Sequence, residues 1–364
     1  MSVMTGRHAA VEPDALADAE AVLARVGNTP LVPLDVLGRG LGSRIFVKLE
    51  SENPGGSIKD RTALSMVRSA ERSGLLRPGA TIVESTSGNT GIGLALIGAL
   101  TGHPVVVVTG DTISSEKLAA LHNYGARVVL TDWNATADSP ENARVVAARI
   151  TAEIPGAWRP QQFDNPANPL AHYEGTGPEI WRQTAGTVTH FVAGIGTGGT
   201  ISGNGRYLKE RAAERKSHVE VVAADPFGSA YSGGHPGEIL VDGVGNSWPE
   251  AEWPRVFDRS RVDRYLRIPN DEVYTTVHRL LNEEKLSLGP SSGLAVAAAL
   301  RVALAAPHGS VVVAIAPDTG SNYLSKAFNP VWLAENGVHL AEDVVEDWRN
   351  AGSFTAHPRP VNGL

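Results

Sequence analysis

Cysteine is absent from all 364 positions. Disulfides, zinc–thiolate sites, iron–sulfur clusters and thiol nucleophiles are excluded together. Long apolar runs are missing too: nothing approaches the roughly 20 uninterrupted apolar residues of a membrane span, and the most apolar segment, 92–100, is short and broken by glycines. Nor is there an excess of positive charge. Lys+Arg number 32 against 39 Asp+Glu, a formal net charge of −7, which argues against general affinity for nucleic acid or an anionic membrane surface. The first 25 residues carry Glu12, Asp14, Asp18 and Glu20 and lack the apolar core of a signal peptide. The histidines show no metal-ligand spacing and no H-E-x-x-H, and no G-x-S-x-G elbow suggests a hydrolase. A soluble, cytoplasmic protein without a metal site is the expectation.

What is present is ordinary for a globular protein, 42% hydrophobic and 20% charged, in a chain long enough for two domains. Short β-branched runs at 45–49, 81–84, 105–109, 128–131, 190–193, 219–224, 262–268 and 311–316 are nearly all apolar, as strands buried on both faces should be. Helical patterns lie at 15–25, 58–74, 89–101, 115–123, 140–153, 175–184, 198–213, 271–282 and 292–305. Such alternation predicts an α/β fold with mostly parallel sheets, and the length suits two sheets better than one of eight strands. The break between them is placed in the loop-rich stretch 154–170, with Pro155, Pro160, Pro166 and Pro169. A second irregular region, 226–254, holds Trp248 and Trp253 and is long enough to be functional or mobile. The last 34 residues contain a weakly amphipathic segment, with Leu340, Val344, Val345 and Trp348 expected to pack on the body or a partner.

Four stretches carry chemistry. In Asn53-Pro54-Gly55-Gly56-Ser57-Ile58-Lys59-Asp60-Arg61, a lysine falls just inside a helix start, where cations are disfavoured and anions are welcome. Either Lys59 is an ordinary surface lysine, or the site favours a neutral amine or one held in an imine. The glycine-rich stretch 194–200 follows a strand and opens a helix, an arrangement of backbone N–H groups suited to a phosphate. It also contains a formal G-x-G-x-x-G (Gly194, Gly196, Gly199), with Asp225 at the end of the next strand, so a dinucleotide site competes with a simple phosphate cradle and with a mere tight turn. In Glu84-Ser85-Thr86-Ser87-Gly88-Asn89-Thr90-Gly91, hydroxyls and an amide outnumber glycines; that suits a small carboxylate, or only a capped helix. Gly289-Pro290-Ser291-Ser292-Gly293 places a serine at a helix start, where an N-cap is the plain explanation.

Taken together and in order, the strings N-P-G-G-S-I-K-D-R (53–61), T-S-G-N-T-G (86–91), Q-F-D-N-P-A-N-P (162–169), A-H-Y-E-G-T-G-P-E-I (171–180), G-I-G-T-G-G-T-I-S-G (194–203) and P-S-S-G (290–293) resemble one family. It is that of the fold-type II pyridoxal-phosphate enzymes, specifically the cystathionine β-synthase and cysteine synthase group, and the resemblance covers about residues 25–335. Ser114-Ser115-Glu116-Lys117 and the stretch 318–326 are more similar to the cystathionine β-synthase catalytic core.

The resemblance implies two doubly wound α/β domains of the tryptophan-synthase-β-like class. An N-terminal segment, 1–43, would pack on the second domain. A smaller domain, 44–165, would carry Lys59 and the carboxylate loop, a larger one, 166–330, the phosphate loop, and 331–364 would form a tail. Lys59 would hold pyridoxal 5'-phosphate in an imine and then serve as the base. Asn89 would bond the ring oxygen of the cofactor, Gly196, Thr197, Gly198, Gly199 and Thr200 would cradle its phosphate, and Ser291 would face its ring nitrogen. Thr86, Ser87, Thr90 and Gln162 would bind the amino-acid carboxylate, and Tyr173 would lie near the path of the second substrate. A serine at the ring nitrogen cannot protonate it strongly, which favours prompt loss of a β-leaving group and an aminoacrylate that a nucleophile attacks.

Three versions of the activity follow from the resemblance: condensation of serine with homocysteine to cystathionine, cysteine synthesis from O-acetylserine and sulfide, or a specialised β-replacement. A nicotinamide oxidoreductase is the reading from a different class, and it assigns nothing to 53–61 or 86–91. The resemblance also implies a homodimer acting on small amino acids, with neither haem nor the regulatory tail domains of some relatives. Three departures stand out: Ser85 where the family often has proline, Pro290 where a glycine is common beside Ser291, and a stretch at 243–254 that is longer than its counterpart and borders the substrate entrance.

Overall fold

The computed structural model describes residues 13–342 apart from 87, 133, 137 and 138. Strands follow the apolar runs: β1 (Leu31–Pro33), β2 (Arg44–Leu49), β3 (Ile82–Ser85), β4 (Val105–Gly110), β5 (Arg127–Thr131), β6 (His190–Gly194), β7 (Glu220–Pro226), β8 (Arg264–Ile268) and β9 (Val311–Ala316). Helices of the first half are α1 (Pro13–Leu23), α2 (Lys59–Arg72), α3 (Asn89–Thr101), α4 (Ser115–Asn123) and α5 (Ala143–Glu153). Those of the second half are α6 (Ala167–Ala171), α7 (Gly177–Gln183), α8 (Gly199–Glu214), α9 (Asn270–Asn282), α10 (Pro290–Ala305) and α11 (Pro330–Glu335). No helix of the described residues is long and apolar enough to cross a membrane.

The strands form a six-stranded sheet of order β1-β2-β9-β6-β7-β8 and a three-stranded parallel sheet β3-β4-β5. Among the described strands, β1, which the sequence did not predict, is the one that pairs antiparallel. The β-branched runs explain the layering, because successive side chains point to opposite faces. Along β9, Val312, Ala314 and Ala316 enter a core with Leu294, Val296 and Val273 from α10 and α9. Val311, Val313 and Ile315 enter another with Ile180, Ile201 and Leu208 from α7 and α8. The smaller sheet is likewise covered twice, by α2 and α3 on one face and by α5 on the other.

Two sequence expectations change. The strand thought to open the smaller unit at residue 44 lies in the six-stranded sheet, because all six residues of β2 register parallel with β9. The break at 154–170 is not pure loop: Trp158 still pairs with the small sheet, its N–H donating to Thr81 O at 2.8 Å and its carbonyl accepting from Val83 at 2.9 Å. Beyond it, His172–Thr176 forms a π-helical turn between α6 and α7, and such turns recur at functional sites. Of the amphipathic C-terminal segment, Val344, Val345 and Trp348 lie outside the described residues.

In the larger sheet, β7 and β8 lie to one side of β6 while β9 lies to the other. Open α/β sheets bind ligands at such a reversal, outside the carboxyl ends of the strands. The segments leaving β6 and β9 there are 195–198 and 317–319.

Candidate active site

Lys59 opens α2, and the turn before it is tied down from several sides. Gly55 N–H donates to Asp60 Oδ2 at 2.5 Å, and Lys59 N–H donates to Ser57 Oγ at 3.2 Å. Ile58 N–H reaches Pro317 O at 2.8 Å and Thr319 N–H reaches Gly56 O at 3.3 Å, so the turn is clamped to the end of β9. From the other side α3 presses close: a Cβ on Gly93 would stand 2.9 Å from Lys59 O, so only glycine lets the two helices meet there. Burial lowers the Lys59 pKa, and the Asp318 carboxylate opposes that fall. Asp318 is itself buried; burial raises its pKa, while the Tyr323 hydroxyl and the Asn89 amide hold it down.

The loop between β3 and α3 brings Thr86, Asn89 and Thr90 to the same crevice. Thr90 Oγ1 donates to Gln162 Oε1 at 2.7 Å, which confirms that these two are neighbours although 72 residues apart. Asn89 Nδ2 donates to Asp318 Oδ2 at 2.6 Å, linking this loop to the wall behind Lys59. Ser87 lies outside the described residues.

The loop between β6 and α8 is an anion cradle. Gly198 takes a left-handed φ of +84°, and a side chain there would strike Phe257. Among the described residues, no acceptor takes the N–H of Gly196, Thr197 or Gly198, and these donors stand at the start of a 16-residue helix. Thr200 Oγ1 lies 3.3 Å from Nε2 of buried His172, which burial first, then Arg61 and Lys59, hold well below the ordinary imidazole pKa. Ser291 is buried in the first turn of α10, whose preceding Gly289 donates its N–H to Asp318 O at 3.1 Å. Phosphate loop, Lys59 turn and Ser291 therefore converge on the end of β9.

Several positioning residues escaped notice in the sequence. Asn168 Nδ2 donates to Gln162 O at 2.8 Å and to Thr197 Oγ1 at 3.0 Å, bridging the two loops. Asp318 and Asn168 both sit inside recognisable strings, but nothing about a lone Asp or Asn announces its partners. Tyr173 is not brought to the site. Its hydroxyl donates to Glu210 Oε2 at 2.6 Å and its ring meets Tyr207 and Arg206, all on α8, because the π-helical turn points the neighbouring His172 inward instead. Asp225 is fully buried and accepts the Ser232 N–H at 2.9 Å, so it offers nothing to a ribose and the dinucleotide reading of the glycine loop fails.

A crevice with a lysine at a helix start, a hydroxyl-rich loop and an anion cradle is the site of a pyridoxal-phosphate-dependent enzyme, and comparison with known proteins agrees. The model of the pyridoxal-phosphate dependent enzyme family matches residues 22–318, and the chain belongs to that family and uses this cofactor. It is 40% identical over 323 residues to a cystathionine β-synthase of Apis mellifera, covering 87% of this chain and 62% of that protein. It is 44% identical over 301 residues to cysteine synthase B of Salmonella typhimurium, covering 82% of this chain and 93% of that one. Among solved structures, O-ureido-L-serine synthase superposes with a TM-score of 0.77 at 38% identity, over 90% of this chain and 98% of that one. The chain thus spans less than two-thirds of the length of the animal relative.

The residues present fit the cofactor. The unpaired N–H groups at 196–198 suit its phosphate, and the buried Asp318 Oδ1 and Ser292 Oγ have no partner among the described residues.

Proposed function

We propose that this chain catalyses β-replacement on L-serine or an O-activated L-serine, with homocysteine as the nucleophile and L-cystathionine as the product. The observation that carries the reading is Lys59, with its pKa lowered by burial in a crevice that also holds the carboxylate loop. When bound, pyridoxal phosphate supplies an electron sink at the substrate's Cα. Gly196, Thr197, Gly198, Gly199 and Thr200 would hold its phosphate and Ser291 and Asn89 its ring. Thr86, Thr90 and Gln162 would orient the substrate carboxylate, with Ser87 in the same role. Lys59 would take the α-proton as a neutral amine, and burial shifts it toward that form.

Cysteine synthesis from O-acetylserine and sulfide is the second reading, favoured by the 44% identity to a cysteine synthase along 93% of its length. The test is to add serine and O-acetylserine separately to the purified holoenzyme, follow the visible absorbance, then add homocysteine or sulfide and identify the product by mass. Lys59→Ala is expected to lower turnover by at least about a thousandfold, the scale of losing a catalytic base and its attachment. Retained turnover would refute the role given to Lys59. A homodimer belongs to the same reading, and light scattering should give twice the chain mass.

A further inference from the structure

Beside the carboxylate loop lies a cavity of about 230 Å³ whose wall includes Thr86, Gln162, Phe163, Arg144 and Trp248. It therefore opens onto the residues proposed to hold the first substrate. An adjoining hollow of about 220 Å³ shares Ser85, Arg144 and Phe163 with it and ends at Glu84 and Arg159. Trp248 comes from the long 243–254 stretch. That stretch is anchored to the phosphate loop by Gly245 N–H to Ile195 O at 2.7 Å. Trp248 meets Phe163 edge to face, at 5.7 Å and 66°. The Arg144 guanidinium stands 4.1 Å from the Trp248 ring centre and 5.3 Å from that of Phe163.

Arg144 makes no ion pair and no side-chain hydrogen bond among the described residues. Of the nearby acids, Asp164 faces Arg255 at 3.6 Å and buried Glu84 faces Arg159 at 4.0 Å. Asp132 lines the same cavity and accepts the Asn134 N–H at 2.8 Å, and Glu252 also bears on Arg144 without forming an ion pair with it. Burial, and then the neighbouring Arg159, pull the Arg144 pKa down, against the opposing pull of Asp164, Glu252 and Glu84. A guanidinium stacked on an indole keeps its N–H edge free for a planar anion.

We propose that this cavity receives the second substrate, and that Arg144, held by Trp248 and Phe163, selects nucleophiles that carry a carboxylate of their own: amino-acid thiols or amines. The assignment rests on the β-replacement reading. Sulfide needs neither an aromatic wall nor a cation, whereas an amino acid fills a space of this size and brings a carboxylate to an arginine that has no ion pair among the described residues. In the reaction, Lys59 takes the proton from Cα, hydroxide or acetate leaves Cβ with its electron pair, and the nucleophile's sulfur or nitrogen forms the new bond to Cβ. Lys59 returns its proton to Cα, and the proton the nucleophile loses ends on the departing hydroxide, making water, or in solvent where acetate leaves.

The experiment compares wild-type, Arg144→Leu and Arg144→Lys holoenzymes with O-acetylserine or serine and four nucleophiles: homocysteine, 3-mercaptopropionate, 2-mercaptoethanol and sulfide. Arg144→Leu is expected to raise KM for the two carboxylates about 10- to 100-fold, the range of one charge-assisted contact. KM for the first substrate and turnover with the two nucleophiles lacking a carboxylate should stay within about twofold, and Arg144→Lys should restore part of the loss. Equal effects on 3-mercaptopropionate and 2-mercaptoethanol, or no effect on either, overturn the assignment. Should neither first substrate change the wild-type spectrum, the β-replacement reading itself falls and takes this assignment with it. A normal spectral change without discrimination removes the role of Arg144 alone.

Discussion

Lys59 is a cation at a helix start, where backbone N–H groups already concentrate positive charge. Burial and position both work against its protonated form, and Asp318 is the carboxylate that works for it. The two residues are 259 positions apart in sequence (318 − 59) and meet because Ile58 is bonded to Pro317. Asp318→Asn removes the opposing charge while keeping an acceptor for Tyr323 and Asn89. The Lys59 pKa should then fall further. The acid limb of imine formation between apoprotein and pyridoxal phosphate, trapped with borohydride across a pH series, should move to lower pH. An unmoved limb would show that Asp318 positions Asn89 and Tyr323 without tuning the lysine.

At the scale of elements, α2 is held in place by a buried ion cluster as well as by apolar packing. Arg61, two residues past Lys59, donates to Glu50 Oε2 at 2.7 Å and to Glu179 Oε1 at 2.7 Å, and Lys48 Nζ reaches Glu179 Oε2 at 2.6 Å. These contacts join β2, α2 and α7, and the Lys48 side chain is wholly shielded from water. Paired cations hold the Glu179 pKa down to about 2 despite its burial. Glu179→Ala leaves two buried cations with one carboxylate between them and should cost about 3–5 kcal/mol. Denaturant unfolding of the holoenzyme measures it, and a loss under about 1 kcal/mol would mean that water or rearrangement compensates. The long helices of this scaffold were legible in the sequence: α3 and α4 end where their patterns end, and α2 and α10 lie within two residues of theirs. The short pieces were not. The three-residue β1 and five-residue α6 are too brief for a period to show, and the π-helical turn has no sequence signature of its own. Lys59, the phosphate loop and Thr90 with Gln162 could be read because each sits in a long string. Arg144 and Trp248 could not, since their meeting depends on how a long loop folds back across α5.

For the molecule as a whole, joining two sheets around one crevice places carboxyl groups where water does not reach, and this ties stability to pH. Glu84, next to last in β3 of the smaller sheet, is buried; burial pushes its pKa up to about 7, while Arg159 and the backbone N–H groups of Ser85, Gln162 and Gln161 resist. Asp60, in the first turn of α2, is likewise pushed up to about 7 by burial, against the Gly55 N–H. In the unfolded chain both lose their protons near pH 4–4.5, while the folded protein keeps them until about 7. The native state therefore binds more protons across this window, and stability falls as pH rises through it. Glu179 acts in the opposite sense. Its folded pKa of about 2 lies below 4.5, so its contribution is present above that value and lost as pH falls toward 2. Glu84 and Asp60 thus weaken the fold toward neutral pH, while Glu179, and His278 with its pKa lowered to about 4 by burial, weaken it toward acid. Glu84→Gln keeps the shape and removes one titration, and a displacement from 4.5 to about 7 corresponds to about 3 kcal/mol. Relative to wild type, the variant's Tm should be nearly unchanged at pH 5 and higher at pH 8, with a shallower fall between. Melting both holoenzymes at half-unit pH steps decides it: parallel curves for the two proteins would mean that Glu84 ionises normally in the fold and that the pH dependence arises elsewhere.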